Sequence, residues 1–247
     1  MSQTRSSTPA ESVSAASAPV RELAVASLAE GTFLAGLSAA ERESLGAIGF
    51  VASYPRGSML MFQEEPDDRV MALLAGRVKT ARLDGDGREV LLSVRDPGDL
   101  LGELAFIDGG PRTATVTALE PVRTLVMPAA AFRTHLETTP RLAVVLLELV
   151  ALRFRTATAE RSRFMALDTM GRLAARIVEL ADRYGEPLES GVTVRLPLSR
   201  EDMVAWTGAS RAGVAEALRR FRELGWIEME GRKLVVRDLA AVRSRAG

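Results

Sequence analysis

The sequence predicts an α+β chain: an all-β sandwich or roll, then one long helix, then a helix-turn-helix with two short strands beside it. Three observations predict it. From Tyr54 to about Met127 the apolar residues come in short runs, "SMLMF", "VMALLAG", "RVKTARL", "REVLLSV", "ATVTAL" and "VRTLVM", separated by "DGDG", "DPGD" and "DGGP". Short runs divided by turn residues are the pattern of an all-β unit. After Met127 the apolar spacing becomes three and four and continues to about Ala166, which is a helical period. Near the C-terminus, "SREDMVAWTGASRAGVAEALRRF" has serines where two helices would start and a glycine in the turn between them.

With 247 residues, 47% hydrophobic and 26% charged, the chain has material for two small cores. Its 32 basic and 32 acidic residues cancel, so a nucleic-acid partner has to be argued from a local patch. The absence of cysteine removes disulfides, thiolate zinc sites, cysteine nucleophiles and cysteine-held iron-sulfur clusters. One histidine, His135, supplies neither a metal site nor a haem pocket, and no prosthetic group is expected. No paired-carboxylate or nucleophile-base arrangement indicates an enzyme. Residues 1–22 are rich in Ser, Ala, Thr and Pro without the apolar core of a signal peptide, and are expected to form a disordered tail. "LAVVLLELVAL" is interrupted by Glu148 and falls short of the ~20 residues that cross a bilayer, so a cytoplasmic protein without a membrane partner is expected.

In chain order, Ser38 and Glu41 form a capping-box pattern ahead of the strands, and the β unit is assigned to 23–138. The long helix occupies 139–167, with Thr139 as N-cap and Pro140 at its first position. Leu142, Val145, Leu146, Leu149 and Leu152 form a stripe that packs on the β unit, on a second copy of the chain, or on both. A helix of this length leaving a small β unit favours a homodimer. Asp168 is the natural cap of the next helix and opens a second domain, 168–247.

In that domain Ser199 caps one helix, Gly208 supplies the turn, and Ser210 caps a second helix, the grammar of a helix-turn-helix. Arg211 then sits at the end that enters a major groove, where a guanidinium pairs with a guanine edge; Arg219, Arg220 and Arg222 follow. Residues 171–247 contain fourteen basic and eleven acidic residues, a net +3, which fits DNA but also fits a solvated arginine face. Arg200, Arg232 and Lys233 are candidates for phosphate contacts.

Taken together, "FLAGLSAAE", "YPRGSMLMFQE", "LLAGRVKTARLDGDGREVLLSVRDPGDLLGELAFIDGGPRTATVTALE" and "LSREDMVAWTGASRAGVAEALRRFRELGWI" resemble the CRP/FNR family of bacterial transcription regulators over roughly Leu28 to Arg243. The resemblance implies a cyclic-nucleotide-binding, jelly-roll-like β-roll, a long dimerisation helix and a winged helix-turn-helix. "GELA…GGPRT" looks like the family's phosphate cassette. By that likeness Glu103 bonds the ribose 2′-hydroxyl, Arg112 pairs with the cyclic phosphate, amides near Gly102, Leu104 and Ala105 complete an anion nest, and Thr113 adds a hydroxyl. The effector so implied is cAMP, with cGMP admitted because the Thr113 hydroxyl also reaches a guanine amino group. A buried Glu103–Arg112 salt bridge in an empty pocket is the alternative.

The family's base-checking pair falls on Ala157 and Thr158, so Thr158 is expected at the ligand unless Thr156 replaces it. The DNA-facing set implied is Ser199, Arg200, Ser210, Arg211, Ala212, Gly213, Glu216 and Arg219, with RNA polymerase as a further partner. Departures from the family are "EEP" for a glycine-containing turn near Glu65, Val204 where two helices approach closely, and "SRAGVAE" for "SRETVGR". The altered turn, together with the missing polar side chain at Ala157, leaves open a ligand-independent regulator, or one answering another ligand through a vestigial pocket.

Overall fold

The computed structural model describes residues 28–195, 198–230 and 233–247; the expected tail 1–22 and Arg232 lie outside the described residues. At the start of α1 (Ala39–Gly46) the Glu41 amide donates to Ser38 Oγ and the Ser38 amide to Glu41 Oε2, closing the predicted capping box. The β unit consists of β1 (Phe50–Tyr54), β2 (Met59–Met61), β3 (Arg69–Ala75), β4 (Val78–Leu83), β5 (Glu89–Arg95), β6 (Leu100–Leu101), β7 (Thr115–Ala118) and β8 (Val122–Pro128), with α2 (Glu103–Asp108) between β6 and β7. These strands pair antiparallel in two sheets, ordered β1-β8-β3-β6 and β2-β7-β4-β5.

Strand β3 carries the run "VMALL", buried at every position. Met71 and Leu73 join the cluster between the sheets with Val78, Val116 and Val126, while Val70, Ala72 and Leu74 join Phe33, Leu45, Phe132 and Leu142 behind. With both faces covered, β3 is apolar throughout instead of alternating. The rear layer is α3 (Ala129–Thr138) and the first half of α4 (Pro140–Ala166). The Phe132 ring meets Phe33 and Phe106 edge-on at 6.2 and 5.0 Å. Because Phe106 lies on α2, this packing also fixes the helix that follows Gly102.

Thr139 occupies the N-cap of α4 and Pro140 its first turn, although the Thr139 side chain makes no capping bond. Leu142, Val145, Leu146 and Leu149 are buried on the chain's own roll, whereas Leu152 is exposed. The predicted stripe is therefore used within the chain. A second one remains open on α4: Val144, Leu147, Phe154 and Met165 are 52, 66, 72 and 77% exposed.

The C-terminal unit comprises α5 (Thr169–Tyr184), β9 (Gly185–Leu188), β10 (Gly191–Val194), α6 (Arg200–Thr207), α7 (Arg211–Glu223), β11 (Ile227–Glu230), β12 (Lys233–Val236) and α8 (Leu239–Ala246). Asp168 caps α5, accepting from the Gly171 amide at 2.8 Å. Ile177, Val214, Ala217, Phe221 and Val242 form the core. Its sheet runs β11-β12-β10-β9, and the two strands nearest α5 have no counterpart in the sequence reading.

The two units touch. Leu91, Val94 and Leu119 of the roll share a cluster with Leu180, Ala181 and Trp206. Lys79 Nζ reaches Asp202 at 2.6 Å, and Asp96 accepts from Arg183 and, at 3.0 Å, from the Tyr184 hydroxyl. Burial alone would raise the Asp202 carboxyl, but the bonds from Lys79 and from the Ser199 amide outweigh it and hold it below the usual carboxylate range.

Replacing Phe132 by Ala removes contacts to both Phe33 and Phe106 from a fully buried position, at an expected cost of about 3–5 kcal/mol. Urea unfolding of the variant reads that loss directly; a change under about 1 kcal/mol would contradict the role given to this ring.

Candidate functional site

Gly102 has a left-handed backbone (φ 80°) and is the N-cap of α2. A Cβ there would lie 2.1 Å from Arg112 Nη1, so only glycine lets the guanidinium come this close. With no side chain to cap them, the first amides of α2, after Gly102 and at Leu104 and Ala105, are left without a partner from this residue.

Arg112 is 2% exposed. It donates to the Gly102 carbonyl at 2.9 Å, to the Arg69 carbonyl, and to Asp67 Oδ2 at 3.0 Å, while its Nε has no partner. Burial would raise the Asp67 carboxyl, but Arg69 and Arg112 outweigh burial and keep it low. The loop before β3 grips the Arg112 backbone too: the Glu64 amide donates to the Arg112 carbonyl at 2.8 Å and the Arg112 amide to Glu65 O at 3.1 Å. In this "EEP" loop Glu64 takes φ 64°, alone among the described non-glycine residues.

Glu103 does not pair with Arg112. It is 6% exposed, and its Oε1 accepts from Arg153 Nη1 at 2.5 Å; Arg153 Nη2 donates to Asp99 at 2.7 Å and to the Leu100 carbonyl at 3.0 Å. Burial would lower the Arg153 pKa, but the charges of Glu103 and Asp99 raise it. Sequence reasoning missed Arg153. Its signal was a cation one turn beyond Leu149, on the side of α4 that faces the roll.

Gly102, Glu103, Leu104, Ala105, Arg112 and Thr113 all line one cleft of about 1560 Å³. It exceeds a typical ligand pocket because it continues from α2 along α4 to the C-terminal unit, where Arg176 and Trp206 form its far wall. From α4 the cleft receives Thr156 and Ala157, but not the expected Thr158, which is exposed. Arg153, Thr156, Ala157 and Glu160 lie along the cleft and Phe154 borders both the cleft and the open stripe, whereas Thr158, one turn beyond Phe154, lies on the stripe alone.

In the C-terminal unit Ser199 and Asp202 close a capping box, with bonds of 3.0 and 2.8 Å. Gly208 ends α6 at φ 62°, and Ser210 caps α7 through the Gly213 amide at 3.0 Å. Arg200, Arg211, Ala212 and Glu216 are exposed, and Gly213 is half-buried. Arg219 is bound on its own helix by Glu216 and Glu223, so its charge is already paired there. A depression of about 190 Å³ lies beside Val204 and Ala215, between α6 and α7. Arg176 ties three helices together: it bonds Glu160 of α4 at 3.3 Å and Glu179 of α5 at 2.7 Å, and lies over the rings of Phe164 and Trp206.

The two halves match two known families: residues 51–139 the cyclic nucleotide-binding domain and residues 171–245 the Crp-like helix-turn-helix domain. A protein with these two modules is a DNA-binding transcription regulator that carries a cyclic nucleotide-binding domain. The chain is 34% identical over 193 residues to a CRP-like cAMP-activated global transcriptional regulator of Mycobacterium tuberculosis, an alignment that spans 78% of this chain and 86% of the relative. With the cAMP-activated global transcriptional regulator CRP of Pasteurella multocida it shares 26% over 187 residues, 75% of this chain and 89% of that one. Its fold aligns with the c-di-GMP responsive global regulator CLP of Xanthomonas campestris at a TM-score of 0.72 and 20% identity, covering 81% and 99% of the two chains. This chain belongs to the CRP/FNR family of transcription regulators, which are not enzymes.

The positive φ of Glu64 strains a residue that bears a side chain, by about 1–2 kcal/mol, and glycine's larger entropy loss on folding offsets part of that relief. Glu64→Gly is expected to stabilise the roll by up to about 1 kcal/mol in urea unfolding. A net loss would show that the Glu64–Arg82 ion pair at 3.2 Å outweighs the strain.

Proposed function

We propose that this chain acts in the cytoplasm as a homodimeric, sequence-specific DNA-binding regulator gated by a 3′,5′-cyclic purine nucleotide. The observation that carries the reading is the convergence of Gly102, buried Glu103, Arg112 and Thr113 on one cleft, with Glu103 held in place by Arg153. A guanidinium suits the monoanionic cyclic phosphate, aided by the open amides of α2. A carboxylate repels a phosphate but accepts well from a ribose 2′-hydroxyl. The relatives named for cAMP support this class of effector. Phosphate and ribose contacts serve cAMP and cGMP alike, so the base is decided elsewhere in the cleft.

The open stripe of α4 supports the dimer. Val144, Leu147, Ala151, Phe154 and Thr158 follow one another at three and four residues, and Met165 falls seven residues further on, the spacing of a two-helix seam. In such a dimer two α7 helices enter successive major grooves about 34 Å apart. Arg211 reads a base edge there, Arg200, Ser199, Ser210 and Lys233 meet phosphates, and RNA polymerase is the partner at the promoter. Ala212, Gly213 and Glu216 set an operator different from that of the enteric regulators. Nucleotide in the cleft bears on α4, and Arg176 passes a shift of α4 to α6. A five- to 150-fold change in DNA affinity needs only ~1–3 kcal/mol of coupling.

One observation favours a second reading, a regulator that needs no nucleotide: Arg112 is already paired with Asp67, which it shares with Arg69, and bonded to two carbonyls.

Isothermal titration of the full chain with cyclic nucleotide, followed by DNA-binding assays with and without it, separates the two. Arg112→Ala is expected to abolish the nucleotide response, and Arg211→Ala to abolish specific DNA binding while nucleotide still binds. DNA binding equally strong with and without nucleotide would establish the second reading. Phe154→Asp, on the open stripe, is expected to shift sedimentation from dimer to monomer; an unchanged dimer would place the interface elsewhere.

A further inference from the structure

Arg95 is the last residue of β5 and lines the same cleft. It is deeply enclosed by surrounding atoms, and it retains part of its surface. The bulge of the β4–β5 pairing lies at Leu92, and beyond it the strand alternates. Val94 joins the cluster shared with the C-terminal unit, so Ser93 and Arg95 belong to the opposite, roll-inward face.

The other guanidiniums that line the cleft near it are held by acids: Arg112 by Asp67, Arg153 by Asp99 and Glu103, Arg183 by Asp96 and Glu179. Among the described residues no acid lies within ion-pair distance of Arg95, whose charged surroundings are Arg153 and Arg183 on one side of the balance and Asp99 and Glu103 on the other. Enclosure and the neighbouring Arg153 lower its pKa, the signature of a cation short of acceptors. Two acids shared with Arg153 do not supply them. An enclosed fork of donors facing a ligand cleft calls for a ligand with two adjacent acceptors.

We propose that Arg95 determines base specificity in the cyclic-nucleotide site, pairing with O6 and N7 of guanine and so selecting cGMP over cAMP. This rests on the cyclic-nucleotide reading above. Guanine offers two acceptors on that edge, which match a guanidinium fork. Adenine offers one acceptor and an amino donor, and the donor opposes the fork. Thr113, an exposed residue that lines the same cleft, supplies a hydroxyl that can accept from the guanine 2-amino group, which adenine lacks.

The test is titration of the full chain with cGMP and with cAMP, for the parent, Arg95→Met and Arg95→Lys. The parent is expected to bind cGMP more tightly, and Arg95→Met to lose roughly five- to 150-fold in cGMP affinity, the span of one good bidentate contact, with cAMP affinity changed less than about twofold. Arg95→Lys keeps the charge but not the fork and is expected to lose the preference as well, so the outcome does not hang on one variant folding. Equal losses for both nucleotides would make Arg95 a phosphate ligand and overturn the proposal. A parent that prefers cAMP would overturn it while leaving the cyclic-nucleotide site intact; a parent that binds neither would remove both.

Discussion

The guanidinium of Arg153 holds two buried carboxylates at once, Glu103 at the start of α2 and Asp99 in the turn before β6. Removing one partner of a buried pair leaves an uncompensated charge and costs about 3–5 kcal/mol; here the removal of one cation would strand two acids. Much of the molecule is arranged around this contact. It pins α4 to the roll beyond the end of the apolar stripe at Leu149, fixes the rotation of α4, and so decides which of its side chains enter the cleft. On the other side Phe106 and Phe132 hold α2 from behind. Glu103 is thereby clamped between an ion pair and an aromatic contact.

A second set of arginine contacts carries the same frame to the C-terminal unit. Arg176 joins α4, α5 and Trp206 of α6, and Asp96 receives Arg183 and Tyr184 at the foot of β5. Asp96 and Arg95 are adjacent in sequence yet serve opposite sides of one strand end, the first toward the C-terminal unit and the second toward the cleft. The cleft and the domain contact therefore share a single strand, and a shift of one bears mechanically on the other. The helix-turn-helix is held to the roll by α6, which leaves Arg211 and the exposed face of α7 free.

The elements that sequence predicts best are those with local physical signals. Ser38, Asp168, Ser199 and Ser210 cap where their side chains and spacing say they should, because capping depends on three or four neighbouring residues. Strand β9 escaped because "GEPL" contains a proline, which a strand tolerates only at the edge of a sheet, and β9 is that edge. Six of the seven expected ligand residues share a short stretch of chain and meet in one cleft. Thr158 lies apart from them, since a helix position is placed by the rotation of the helix, which Arg153 sets from fifty residues away in sequence. The pairings of Arg153 and of Asp67, and the lack of one at Arg95, could not be read for the same reason: a long-range ion pair has no local spacing.

Helix α4 presents two adjoining working sides, with Arg153 and Ala157 along the cleft, Leu147 and Thr158 on the open stripe, and Phe154 bordering both. Each residue turns a helix by about 100°, so inserting or deleting a single residue between Leu149 and Met165 would swing one side away from its task. The segment is locked in length as well as in composition. Turns such as Asp84–Gly87, whose glycine at φ 76° has open space around it, carry no such constraint on length. Helix α4 thus acts as a ruler, its residue count setting which side chains meet the cleft and which face the open stripe.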